Sequence, residues 1–195
     1  MAIDASSVKA LREQTGAGVL DCKKALDQSN GDLGKASELL KEKGLAKAAK
    51  KDSRSTPEGK IGTYIHTNGK LGVLVEANCE TDFVANNDIF TGLLKDLCMQ
   101  VAATDPASVC REDIPKDIIE NARKDFLEEF KDKPSDIREK IVEGKLENLY
   151  KERCLLEQPF IKDNDKTVND LIKNAIAILG ENIKVGRFTR FKVGL

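Results

Sequence analysis

Along the first fifty positions apolar residues recur every three or four places, the period of an amphipathic helix. Val8 and Leu11 mark one stripe, which stops near Thr15-Gly16. Val19, Cys22 and Leu26 mark a second, ended by Asn30-Gly31. Asp32 can accept from free backbone amides as the N-cap of a third helix. Its apolar face is Leu33, Ala36, Leu39 and Leu40, and Gly44 reads as its left-handed stop. From Gly59 to Cys79 the period changes to two. Leu71, Val73, Val75, Ala77 and Cys79 alternate with more polar neighbours, as Ile61, Thr63 and Ile65 do before them. Asn68-Gly69 offers the positive φ angles of a tight hairpin turn between these runs.

Helical spacing then returns. Thr81 is placed to cap a short helix, with Asp82 in its first turn, where the helix dipole favours a carboxylate. Asn86-Asn87-Asp88 interrupts it, and Phe90, Leu94, Leu97 and Val101 carry a stripe as far as Asp105-Pro106. Pro115 suits a first helical position, and Ile119, Ala122, Phe126 and Phe130 follow up to Pro134. Ser135 caps a helix with the face Ile137, Ile141, Val142, Leu146 and Leu149. Leu155 to Ile161 reads as a short extended segment broken by Pro159. Thr167-Val168-Asn169-Asp170 approximates a capping box for a helix ending at Gly180, and Ile183 to Val193 is a last strand. The expected fold is α+β: a three-helix domain over residues 1–46, a basic linker over 47–59, and a core over 60–195 with a small antiparallel sheet packed on helices.

Composition narrows the function classes. No apolar run approaches the roughly 18 residues of a membrane span, and the amino terminus lacks the pattern of a secretion signal. Five cysteines, an odd number without close pairing, argue against a disulfide framework and against zinc, and suit a reducing cytoplasm. A net charge of −1 is not that of a wholesale nucleic-acid binder. The charge is unevenly spread, with six basic and two acidic residues from Lys41 to Arg54, where a solvated helix end and tether is the simplest reading. The single histidine leaves little for His-based catalysis. No P-loop, Rossmann glycine pattern or zinc-ligand spacing is present.

The stretch Asn78-Cys79-Glu80-Thr81-Asp82-Phe83-Val84-Ala85-Asn86 sets an aromatic ring beside a carboxylate just after the hairpin. It resembles the signature of the elongation factor Ts family, guanine-nucleotide exchange factors for elongation factor Tu. Leu11 to Leu26, through Thr15-Gly16-Ala17-Gly18-Val19-Leu20, resembles that family's amino-terminal signature. Gly186-Arg187-Phe188-Thr189-Arg190-Phe191 resembles its terminal strand. The likeness runs from about Ser6 to the carboxyl terminus. It implies a ubiquitin-associated-type bundle at the start. Long members have two similar core halves, and this chain carries one hairpin-plus-Asp-Phe unit, as short members do.

The resemblance further implies that Asp82 and Phe83 enter a crevice between two helices of Tu's GTPase domain, with Val84 and Ala85 supporting them. There they disturb the region that holds Mg²⁺ and the nucleotide phosphates. Tyr64 and His66, on the hairpin, and Val19 and Leu20, where many relatives carry methionine, are further expected contacts with Tu. The implied protein makes and breaks no bonds, needs no cofactor or metal of its own, touches neither nucleic acid nor membrane, and works in the cytoplasm. Short members are expected to form a homodimer through the core. From the residues alone, Phe83 also reads as an ordinary core ring and His66 as a surface residue. Two other functions compete with this one: a ubiquitin-associated-like adaptor, which only the first fifty residues allow, and a cysteine hydrolase using His66, which needs a low-pKa thiolate–imidazole pair.

Overall fold

The computed structural model describes residues 4–194. The helices are α1 (Ala5–Thr15), α2 (Val19–Gln28), α3 (Leu33–Ala49), α4 (Asp82–Ala85), α5 (Asp88–Thr104), α6 (Lys116–Glu129), α7 (Ser135–Arg153) and α8 (Val168–Leu179). The strands are β1 (Glu58–Ile65), β2 (Leu71–Cys79), β3 (Pro159–Phe160), β4 (Asp163–Thr167) and β5 (Ile183–Lys192). One sheet has the order β1-β2-β5 and the other pairs β3 with β4, so the α+β class is the one expected. The chain forms two compact units. The first takes residues up to Lys60, Ala77–Leu93 and Asp170–Lys184; the second takes Ile61–Glu76, Leu94–Asn169 and the chain from Val185 onward.

In the first unit, Leu11, Cys22, Ala25, Leu26, Ala36 and Leu40 form one buried cluster, with Val8 and Ala17 packed against it. Gly16 closes α1 at φ 68°, its N–H bonded to the Arg12 carbonyl. The side chain of Asp32 accepts from Lys35 N–H at 3.0 Å, as its cap role requires. Gly44 departs from the expectation: α3 continues through it to Ala49. A Cβ at position 44 would sit 3.1 Å from Cβ of Ala177, so this glycine serves close packing against α8 rather than helix termination. Leu33, expected on the buried face, is exposed at the first position of α3, while Ala36 and Leu40 are buried as expected. The turns between Lys50 and Pro57 then lead to β1.

In the second unit, Val73 and Val75 of β2 are buried, as alternation requires. β1 differs: Ile61 and Ile65 face solvent, and Gly62 carries the inward position. The absence of a side chain there lets the strand approach Leu94 and Cys98 of α5. Of the turn pair, only Gly69 takes a positive φ, at 67°. Asn68 instead accepts from Lys70 N–H through its side chain, and Gly69 N–H bonds the His66 carbonyl, so the loop is longer than two residues.

The helix starts after Pro115 and Pro134 each fall one residue later or earlier than the sequence suggested, within the usual fraying of helix ends. α7 buries Val142 and Leu146 but leaves Ile137 exposed. Strand β4 was not expected, because Asp163 to Thr167 is polar throughout. It pairs antiparallel with β3 through Pro159–Thr167 and Phe160–Asp163. A buried amide network holds β3 in place. Gln100 Nε2 donates to the Pro159 carbonyl and to Gln158 Oε1, both at 3.1 Å, and Ile161 N–H donates back to Gln100 Oε1 at 2.9 Å. Satisfied polar groups of this kind specify one register where apolar burial does not. Arg111 bonds the carboxylates of Glu147 and Glu157 and lies 4.3 Å over the Tyr150 ring, tying the segment before α6 to α7.

Gly62→Ala would bring a Cβ to 2.5 Å from Leu94 Cγ and 2.9 Å from Cys98 Sγ. Overpacking of this kind lowers stability by about 1–3 kcal/mol, read as a fall in the denaturation midpoint. An unchanged midpoint would mean that β1 does not lie against α5 as described.

Candidate functional site

The signature stretch begins where the buried alternation of β2 ends. Ala77 and Cys79 are fully buried, and the chain then leaves the strand at Glu80. Thr81 is extended, at φ −134° and ψ 157°, and its hydroxyl accepts from Val84 N–H at 3.4 Å. α4 lasts four residues, too short to be stable alone. Asn86 closes it through its side-chain amide, which donates to the Asp82 carbonyl at 2.9 Å. Ala85 is buried and anchors the turn, Val84 is half-buried, and Asp82 is exposed.

The ring of Phe83 is 83 % exposed. An isolated exposed apolar residue needs no explanation, but a phenylalanine at this exposure makes almost no contribution to its own fold. The reading of Phe83 as a core ring is therefore set aside. At the start of α2, Val19 and Leu20 are also turned outward, Leu20 at 73 % exposure. Asp21, the next residue, is held in an ion pair with Lys47 at 2.9 Å. Lys47 thus takes part in the bundle's own structure.

On the hairpin the Tyr64 hydroxyl lies 3.0 Å from His66 Nδ1, with the ring centroids 6.1 Å apart. Val19, Leu20, Asp82 and Phe83 belong to the first unit, and Tyr64 and His66 to the second.

Two residues at the site were not found by reading the sequence. Glu181 and Asn182, just after α8, hold the start of the signature. Glu181 Oε2 accepts from Thr81 N–H at 2.9 Å and Oε1 from the Thr81 hydroxyl at 2.7 Å. Asn182 N–H donates to Glu80 Oε1 at 2.7 Å. The Asn182 side chain is buried and donates to the carbonyls of Asp52 and Arg54. Their only local sign was a charged residue and an amide between a helix-ending glycine and a strand. Nothing in that pattern names a partner 100 positions earlier in the chain. Leu33 and Ile89 are further exposed apolar residues of the first unit.

Comparison with known proteins decides what this arrangement belongs to. The family model described as Elongation factor TS matches residues 40–195. Elongation factor Ts of Fervidobacterium nodosum is 54 % identical over 196 residues, covering 100 % of both chains. That of Thermotoga maritima is 54 % identical over 194 residues, covering 100 % of this chain and 98 % of its own. That of a Thermoanaerobacter species is 53 % identical over 194 residues, covering 98 % and 95 %. The chain belongs to the elongation factor Ts family. Membership carries the family's role, guanine-nucleotide exchange on elongation factor Tu in translation elongation, and disfavours the adaptor reading.

All five cysteines are free; Cys110 is half-buried and the others are buried. Burial pushes the Cys98 thiol up to about 11. Burial, then the Asp113 carboxylate, pushes Cys110 up to about 12. Such thiols are protonated at neutral pH, the opposite of what a cysteine nucleophile needs. Among the described residues no group of three or more His, Cys, Asp or Glu side chains is placed to hold a metal ion, and no helix is long and apolar enough to cross a membrane.

The Asn182 N–H, with Arg54 beside it, holds the Glu80 carboxyl below its ordinary 4.5. A depressed pKa of this sort contributes stability above 4.5 that is lost as pH falls through the folded-state value. Glu80→Gln therefore lowers stability at pH 7 and flattens the loss below pH 4.5, measured by denaturant unfolding at a series of pH values. A variant with the parent's pH profile would show that Glu80 is not held as described.

Proposed function

We propose that Phe83 and Asp82 are the working end of this exchange factor. The observation that carries the reading is the outward ring of Phe83 on a turn that the rest of the chain goes to some length to hold. The ring enters the crevice between two helices of Tu's GTPase domain, with the Asp82 carboxylate beside it. Burying a phenylalanine side chain supplies about 1.5–3 kcal/mol, the scale of an interface hot spot. Mg²⁺ is held by few protein ligands together with nucleotide oxygens. A small displacement of those helices therefore loosens the ion and the phosphate cradle at once. GDP leaves, GTP enters, and rebound nucleotide expels the factor. Whatever factor the chain costs GDP in affinity, GDP costs the chain. No bond is made or broken, so the chain is not an enzyme. Its place of work is the cytoplasm, where Tu is loaded.

Val19 and Leu20 give the three-helix region a second apolar contact with Tu, and His66, oriented by Tyr64, gives the hairpin a third. Phe83→Ala leaves the unfolding midpoint almost unchanged, because the ring is exposed, and slows GDP release from Tu by at least tenfold, the order expected for loss of about 1.4 kcal/mol or more of transition-state binding. Stopped-flow fluorescence with a labelled GDP reads the second effect. Equal release rates with the parent and Phe83→Ala would remove Phe83 from the site.

We further propose that the chain acts as a homodimer through the second unit. Ile61, Ile65, Leu74 and Phe191 are exposed there. Inward positions are taken by Gly62 and Val75, and Arg187 reaches Glu76 at 2.8 Å on the outward side. The outer face of β1, β2 and β5 is thus apolar around one internal ion pair. A twofold axis would cover such a face with a second copy of itself, and uncovered it is a liability. Sedimentation equilibrium gives twice the 21.4 kDa chain mass for the parent and the single mass for the double variant Ile65→Lys, Phe191→Lys. A monomeric parent with full exchange activity would overturn the dimer.

A further inference from the structure

We infer that Glu181 is a positioning residue for exchange: its carboxylate, bonded at two points to Thr81, holds the turn that presents Phe83 in its working position before Tu is met. The inference rests on Phe83 being the group that enters Tu.

A helix of four residues closes too few backbone bonds to repay the ordering of its own chain. The cap that Thr81 offers Val84 is long, at 3.4 Å. The hydroxyl and N–H of Thr81 have a firmer partner. Glu181 takes both, at 2.7 and 2.9 Å, one on each carboxylate oxygen. A two-point, charge-assisted contact fixes the side-chain rotamer and the backbone direction of Thr81 together. Phe83 lies two residues further on in the same short turn, so the direction of Thr81 sets where the Phe83 backbone stands and the side from which its ring leaves the turn.

Glu181 is itself restrained. Gly180 turns the chain at φ 80° directly after α8. Asn182 is buried, with its N–H on Glu80 and its side chain on the carbonyls of Asp52 and Arg54. Ile183 is buried as β5 begins. The acid therefore stands between two anchored neighbours. Glu80 and Thr81 are gripped as a pair, one by the backbone of Asn182 and the other by the side chain of Glu181.

These bonds support the fold, but the direction they give the turn adds nothing to stability, because the ring it presents is exposed. Its use lies in binding. An apolar side chain that must enter a foreign crevice loses affinity and speed if it first has to be ordered. Holding it ready removes that cost from the exchange step.

The experiment measures GDP release from Tu across a range of concentrations of the full chain, giving a maximal rate and a half-saturating concentration. Glu181→Ala lowers the maximal rate about tenfold, the factor produced by a modest loss of pre-ordering, with a smaller change in half-saturation, where Val19 and Leu20 still bind. Thr81→Ser, which keeps both donors, retains the parent's rate. In a Phe83→Ala background, Glu181→Ala causes no further loss, because the ring it aims is gone. A purely architectural role would lower both backgrounds by the same factor, and that result overturns the inference, as does a parental maximal rate for Glu181→Ala. If Glu181→Ala folds poorly, amide hydrogen exchange of Glu181→Gln decides: faster exchange confined to residues 81–85 supports the inference and an unaltered pattern there overturns it. Phe83→Ala with the parent's release rate would instead sink the reading of Phe83, and this inference with it.

Discussion

The side chains of Val73, Val75, Ala77 and Cys79 share one face of β2, and all four are buried. With a side-chain period of two, a slip of one residue would turn every one of them to solvent. That constraint locks the register of the central strand, and with it the point at which the chain leaves the sheet. Glu80 and Thr81 come immediately after, so their position is inherited from the burial of β2. The contacts with Glu181 and Asn182 then convert a fixed position into a fixed direction. The exposed ring of Phe83 is the end of that sequence of causes.

The energetics divide cleanly between the parts that hold and the part that acts. The holding parts are buried or satisfied: the three-helix cluster, the inward face of β2, the Gln100 network and the Arg111 clamp. The Phe83 ring stands apart: it is exposed, so its burial contributes nothing to the fold. On the function proposed above, its transfer free energy is left for a partner, and a residue so placed contributes to function out of proportion to its contribution to folding. It is the kind of position where local rules of stability and the requirement of function disagree.

Much of the secondary structure was legible because its signals are local. The stops at Gly16 and Gly180, the cap at Asp32, the alternation of β2 and the break after Ala85 all depend on neighbours within a few residues. What misled was residue type read without its surroundings. Gly44 has the chemistry of a helix stop, yet α3 runs through it and α8 packs so closely that a side chain there would crowd Ala177. Ile61 and Ile65 alternate as a buried face would, but Gly62 takes the inward place. Strand β4 has no apolar pattern at all and forms by pairing with β3, which the Gln100 network holds. The candidate site was legible for the same reason in part: Asp82-Phe83 at a strand-to-helix junction is a local oddity, and the structure places it there with the ring exposed. Glu181 was not legible, because its bond to Thr81 spans 100 positions, which no periodicity encodes.

The central claim is that the ring at position 83 enters Tu while GDP is still bound. Replacing Phe83 with the photoreactive analogue p-benzoylphenylalanine and irradiating the chain with Tu·GDP tests it directly. The account predicts a covalent adduct within the GTPase domain of Tu, between two of its helices, suppressed by excess unmodified chain. A chain that still accelerates GDP release but forms no such adduct would contradict it.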